Sequence, residues 1–221
     1  MQKLIVFLFI SLFTLPSMAQ IQMDKVEYKD GDATLEGFIV YDKSKTGKHP
    51  GVIVVHEWTG VNDYVKNRGK QLAELGYVAF VADIYGKGIR PTTPDEAGKQ
   101  AGIYRENRQL MRSRILSALN EIKKNPLVDT TKIAAIGYCF GGGTVLELAR
   151  SGADLKGVVS FHGNLDTPNL NDAKNIKAKV LVLHGANDPF VTEEQMLTFQ
   201  KEMHDANVDW QMPFYGNTVH A

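Results

Sequence analysis

The 221-residue chain has a single cysteine, Cys139. No disulfide can form within it, and a cysteine-rich metal cluster is excluded. An excess of either charge is also missing, because Lys and Arg together number 25 and Asp and Glu together number 25. That balance argues against nucleic acid or an anionic membrane surface as a partner, since both require a basic surplus. No apolar run is long enough for a bilayer span of about 20 residues; the most continuous one, "LIVFLFISLFTLP" at 4–16, stops short and meets no stop-transfer pattern. Internal repeats and low-complexity segments are absent as well.

The first residues have the layout of an export signal. Met1-Gln2-Lys3 gives a positive start, the apolar run follows, and Ser17-Met18-Ala19 places small residues where a signal peptidase cleaves. We expect residues 1–19 to be a signal peptide and the protein to be periplasmic or secreted, with no stable membrane insertion after cleavage. Gln20 stands where a bacterial lipid anchor would need cysteine. Residues 20–221 suffice for a single domain.

Strand and helix patterns alternate along that domain. Residues 25–41 read as a β-hairpin about Asp30-Gly31. The apolar run 51–55 reads as a strand covered on both faces, followed by a helical segment that stops at Gly76. Further strands are expected at 77–83, 132–139, 157–163, 179–185 and 208–216. One long helical stretch is expected over 95–125, closed by Pro126, and further helices at 142–152 and 192–206. This order predicts a three-layer α/β sandwich with a mostly parallel sheet and its functional groups at the carboxyl ends of the strands. Such chains commonly close with a helix, and none is legible after 216, so we expect a truncated C-terminus.

Cys139 lies in "IGYCFGGG" (136–143), with Gly137 two residues before it and Gly141 two after. That is the spacing of a nucleophile elbow, a strand-to-helix turn too tight for side chains at its flanks. It would raise the thiol above the sheet at a helix N-terminus, where backbone N–H groups can receive an oxyanion. A phosphate loop is excluded because Gly143 stands where its lysine belongs, and a dinucleotide loop because position 146 is Leu146. The competing reading is a structural cysteine beside a turn.

A nucleophile needs a base and the base an orienting acid. Asp188, in "HGANDPF", and His220, in "NTVHA", each follow a strand pattern. The order Cys139, Asp188, His220 is that of nucleophile, acid and histidine in α/β-hydrolases. Asp188 could instead cap a helix, although Thr192 and Gln195 already have capping-box spacing, and His220 could be a frayed terminal residue. In "VVHEWTG" (54–60), Gly60 stands where a zinc-protease motif would need its second histidine, so no metal is expected. Glu57 could instead lie beside the thiol, or be a solvated loop residue, and the Trp58 N–H could pair with that of Phe140 as an oxyanion hole. His162 and His184, each before a glycine, read as structural.

Through "HEWTG", "GYVAFVADIYG", "GYCFGG", "HGANDP" and "VHA" the chain resembles the dienelactone hydrolase family of α/β-hydrolases from about Val26 onward. The resemblance implies a cofactor-free hydrolase of small esters or lactones. It makes Cys139, Asp188 and His220 the triad, Glu57 a carboxylate that holds the thiol inactive until substrate arrives, and Trp58 and Phe140 the oxyanion hole. Where founding members have Asp-x-Tyr-x-Arg to bind a substrate carboxylate, this chain has Asp83-Ile84-Tyr85-Gly86-Lys87, with Arg90 beyond. Tyr85, Lys87 and Arg90 are therefore the expected substrate-binding residues. A thioesterase or peptidase with the same triad, or a non-catalytic scaffold on this fold, are the alternatives.

Overall fold

The computed structural model describes residues 19–220; the expected signal peptide lies almost wholly outside them. The chain opens with the hairpin, β1 (Ile21–Asp30) and β2 (Ala33–Asp42), paired antiparallel across a Gly31-Asp32 turn. Then follow β3 (His49–Val55), α1 (Asp63–Glu74), β4 (Val78–Ala82), α2 (Pro94–Glu106), α3 (Arg108–Ile122), β5 (Val128–Tyr138) and α4 (Phe140–Arg150). The remainder comprises β6 (Gly157–Phe161), a 3-10 turn (Leu170–Asn175), β7 (Lys179–Gly185), α5 (Glu193–Asp205), β8 (Trp210–Gln211) and β9 (Phe214–Tyr215). No described helix is long and apolar enough to cross a membrane.

The sheet runs β1-β2-β4-β3-β5-β6-β7-β8, with β9 also pairing β7. Its two hairpin strands join antiparallel and all later pairings are parallel. Strand periodicity divides the core into two. Ile53, Val55, Phe80 and Ala82 pack with residues of α2–α5 such as Tyr104, Ile115, Leu146 and Phe199. The alternate residues Val54, Ala79 and Val81 pack with Val65 and Ala73 of α1 on the other face. Each large apolar side chain buried this way stabilises the fold by about 1.5–3 kcal/mol. The result is the three-layer, mostly parallel sandwich read from the sequence.

Two expected elements differ. The segment 95–125 is two helices rather than one, because Asn107 leaves helical geometry (φ −117°, ψ 82°) and its side chain caps α3 by accepting from the Leu110 N–H at 3.0 Å. Asn is a weak helix former and a strong N-cap, so the apolar period continues across a break. The expected strand 208–216 pairs over only two short stretches, β8 and β9, separated by Met212-Pro213, where proline has no N–H to give a ladder.

Candidate active site

The elbow forms where β5 passes into α4. Cys139 has φ 52° and ψ −114°, and its N–H donates to Phe161 O on β6 at 3.0 Å. A Cβ on Gly137 would lie 2.0 Å from Gly141 O, and one on Gly141 would lie 2.5 Å from Val55 O and 2.6 Å from His56 O. Both glycines are therefore required by sterics, the first to close the turn and the second to let it press against the end of β3. That contact sets the end of β3 and His56 against the elbow.

Beyond β7 the chain turns through Asp188, whose side chain is fully buried. Its Oδ1 accepts from the Phe190 N–H at 2.9 Å and its Oδ2 from His220 Nδ1 at 2.8 Å. The helix cap is supplied separately, by reciprocal bonds between Thr192 and Gln195, which leaves Asp188 free to orient the imidazole. His220 is held from behind by Asp188 and edge-on by Phe190, with ring centroids 4.9 Å apart. The segment before it is anchored, since Asn187 N–H donates to Thr218 O at 2.9 Å. A Cβ on Gly185 would lie 2.5 Å from the Thr218 and Val219 carbonyl oxygens.

Cys139, His162 and His220 offer a sulfur and two ring nitrogens that all lie within 4.8 Å of one another. His162 Nδ1 is 3.4 Å from His220 Nε2. His162 thus belongs to the cluster, contrary to its sequence reading as a structural histidine. It follows β6 with φ 41°, in the left-handed region that non-glycine residues seldom adopt, and no local pattern announces that turn. His184, buried beside Asp188 with its Nε2 3.9 Å from Oδ2, stays below the strands' ends. Burial holds its pKa low, so it is a neutral neighbour of the carboxylate.

The electrostatics separate the histidines. His220 is raised to about 9, first by its interaction with Cys139 and then by Asp188, against the penalty of burial. His162 is lowered to about 4 by burial and by the charge of His220. Glu57 is half-buried, which pushes its carboxyl upward, while the charge on His220 draws it down. Of the two N–H groups expected to form an oxyanion hole, that of Phe140 opens α4, where the first turn has no intrahelical acceptor. Trp58 N–H has no acceptor among the described residues.

His56 fixes the loop that carries Glu57 and Trp58. It is fully buried, accepts from the Ile84 N–H at Nε2 (3.2 Å) and meets Glu57 O from Nδ1 at 2.6 Å. The Nε2 contact assigns the ring proton to Nδ1, so the imidazole donates to the Glu57 carbonyl; burial lowers its pKa to about 4, which keeps it neutral. Its ring stacks on Phe140, with centroids 5.8 Å apart. The sequence reading weighed His56 only as a metal ligand and missed this role.

The residues expected to bind substrate have different settings. Tyr85 is buried and donates to Trp58 O at 2.8 Å, so it braces the same loop. Lys87 donates to Glu27 on β1 at 2.5 Å. Arg90 donates to Gly86 O at 3.0 Å and Ile89 O at 2.7 Å and lies 3.6 Å from the buried Asp83 Oδ1. Asp83 itself accepts from the Glu36, Tyr85 and Gly86 N–H groups and anchors the turn. A cleft of about 400 Å³ opens at the α2–α3 junction, lined in part by Arg105, Arg108, Asp166 and Thr167. None of its lining residues belongs to the thiol cluster.

A mostly parallel α/β sandwich with a cysteine at its elbow, and an imidazole backed by a carboxylate beside it, is the α/β-hydrolase arrangement. The model of the Dienelactone hydrolase family matches residues 35–221, and the chain belongs to that family. A dienelactone hydrolase-like promiscuous phosphotriesterase from metagenomic libraries is 41% identical, covers 91% of this chain and 84% of its own, and superposes with a TM-score of 0.88. Protein usf of Aquifex pyrophilus is 29% identical over 201 residues, 89% of this chain and 85% of its own. The dienelactone hydrolase of Anabaena variabilis, at 19% identity, shares the fold with a TM-score of 0.69, covering 91% of this chain and 88% of its own. The chain is a hydrolase of this family.

Proposed function

We propose that the protein hydrolyses small esters or lactones through an acyl-enzyme on Cys139, with His220 and Asp188 completing a catalytic triad. The observation that carries this reading is the elbow itself: Cys139 stands at φ 52° above the sheet within 4.8 Å of a histidine that Asp188 holds at 2.8 Å. In this reading His220 carries the proton shared with the sulfur. The thiolate attacks the carbonyl carbon and the carbonyl π pair moves to oxygen, where the Trp58 and Phe140 N–H groups receive it. Collapse expels the alkoxide, which takes the proton from His220 Nε2. Water then attacks the thioester while His220 accepts its proton, and the sulfur leaves. For a lactone the leaving oxygen, once protonated, stays tethered to the acyl group, and the second step releases a single hydroxy acid.

Glu57 is read as a carboxylate that competes for the thiol until substrate displaces it, and Tyr85 as the brace of the oxyanion loop. Lys87 and Arg90 remain the proposed contacts for an anionic substrate, which must then compete with Glu27 and Asp83 for them. On the layout of residues 1–19, we assign the activity to the periplasm or exterior. The test is a panel of aryl esters, five- and six-membered lactones and, prompted by the metagenomic relative's printed activity, one phosphotriester. Turnover of esters or lactones that Cys139→Ala abolishes is expected; undiminished turnover by that variant contradicts the reading.

A further inference from the structure

The geometry points to a binding site for a soft divalent transition-metal ion, zinc foremost, formed by Cys139, His162 and His220, whose occupation shuts the hydrolytic site. The three donors come from separate elements: the β5–α4 elbow, the turn after β6 and the segment after β9. Their ligand atoms already lie within 4.8 Å of one another.

The spacing of the two imidazoles suits a shared ion better than a mutual hydrogen bond. His162 Nδ1 and His220 Nε2 are 3.4 Å apart, whereas N–H donors normally approach their acceptors to about 2.7–3.2 Å. Two zinc–nitrogen bonds of about 2.0–2.1 Å at a tetrahedral angle place their nitrogens roughly 3.3–3.4 Å apart. The sulfur, at a zinc–sulfur distance of about 2.3 Å, needs to sit roughly 3.5–3.6 Å from each nitrogen. That is an inward shift of about 1.3 Å at most from the observed limit of 4.8 Å, within reach of a χ1 adjustment.

Donor chemistry and surroundings agree. One thiolate with two imidazoles suits zinc, copper or nickel and disfavours calcium and magnesium, which take oxygen. His220 gives its Nδ1–H to Asp188 at 2.8 Å, so its Nε2 faces the cluster and becomes a ligand once its proton is lost, and a carboxylate behind a ligating imidazole raises its basicity. All three residues are partly exposed, which gives an ion a path in, and a water or chloride completes the fourth position. Binding releases the proton shared by the sulfur and His220 Nε2. It also occupies the sulfur and nitrogen lone pairs that the proposed hydrolysis uses, so the ion acts as an inhibitor and not as a cofactor. His162 has no part in that hydrolysis; its effect here is to turn a two-donor pair into a three-donor site.

The test uses the full chain, freed of metal by chelator dialysis. Cobalt(II) serves as the spectroscopic probe and zinc as competitor. We expect one cobalt ion per chain, a sulfur-to-cobalt charge-transfer band with the visible bands of a tetrahedral site, displacement by zinc, and zinc protection of Cys139 from iodoacetamide that EDTA reverses. His162→Asn keeps a residue that tolerates left-handed backbone and is expected to weaken binding at least tenfold while melting like the wild type. Should that variant unfold, Cys139→Ala is decisive: it keeps both imidazoles and must lose the charge-transfer band. Absence of that band in the wild type, or equal affinity in folded His162→Asn, overturns the site. Metal binding is read without substrate: binding by a protein that hydrolyses nothing leaves this site standing and removes the ester reading, and hydrolysis without binding does the reverse.

Discussion

His220 Nδ1 lies 2.8 Å from Asp188 Oδ2 although 32 residues separate them in the chain. The pairing sets the tautomer of His220 and aims its Nε2 at the elbow. Because Cys139 is the first cause of the raised pKa of His220 and Asp188 a further one, removing the thiol has a readable consequence. In Cys139→Ala the imidazole, followed by NMR, is expected to titrate well below the wild-type value of about 9. The sign for stability follows by linkage. A histidine whose folded pKa is raised contributes stability that is whole below its unfolded value of about 6.5 and is lost as pH rises through about 9. Urea midpoints measured at pH 7 and pH 10 are therefore expected to differ more for the wild type than for Cys139→Ala.

Replacing His56 by Leu leaves the Ile84 N–H without its acceptor and releases the Glu57 carbonyl. Each buried group left unsatisfied costs about 1–3 kcal/mol. Ester hydrolysis is expected to fall, chiefly in kcat, as the Trp58 N–H loses its fixed direction. His56→Gln, which can donate and accept, is expected to recover part of both losses; kinetics and thermal melts on the two variants check this.

Gly141→Ala places a methyl 2.5 Å from Val55 O and 2.6 Å from His56 O. Backbone on both sides cannot yield cheaply, so a loss above the ordinary range of about 0.5–3 kcal/mol is expected. Chemical denaturation measures it. The same change at Gly157, where a Cβ would meet only Lys179 O at 3.6 Å, is the control and should cost far less.

How much of this was legible in the sequence depends on the range of the forces involved. The elbow was, because the clash that requires Gly137 lies within five residues and Gly141 stands at the fixed spacing of the motif, and so was the order Cys139, Asp188, His220. The break at Asn107 was hidden because the apolar period of Ile103, Leu110 and Ile115 continues across it. His162 was misread because its left-handed turn is imposed by the β6–β7 pairing, through the bond from His162 N–H to Leu183 O at 2.9 Å. The partner of Lys87 was out of reach for the same reason, since Glu27 lies 60 residues away on the hairpin.

Glu57→Gln removes a half-buried carboxylate whose titration is coupled to the charge of His220. The expected outcome is a changed pH profile for iodoacetamide alkylation of Cys139, with faster alkylation near neutrality once the competing carboxylate is gone. Profiles that coincide with the wild type at every pH would remove Glu57 from the site.

The central claim is the covalent step on Cys139. Rapid mixing with a p-nitrophenyl ester, acid quench and peptide mass mapping measures it directly. The account predicts a burst of nitrophenol approaching one equivalent per chain and an acyl mass on the peptide containing Cys139, both absent from Cys139→Ala. An acyl group on another residue, or a burst that survives in Cys139→Ala, would contradict it.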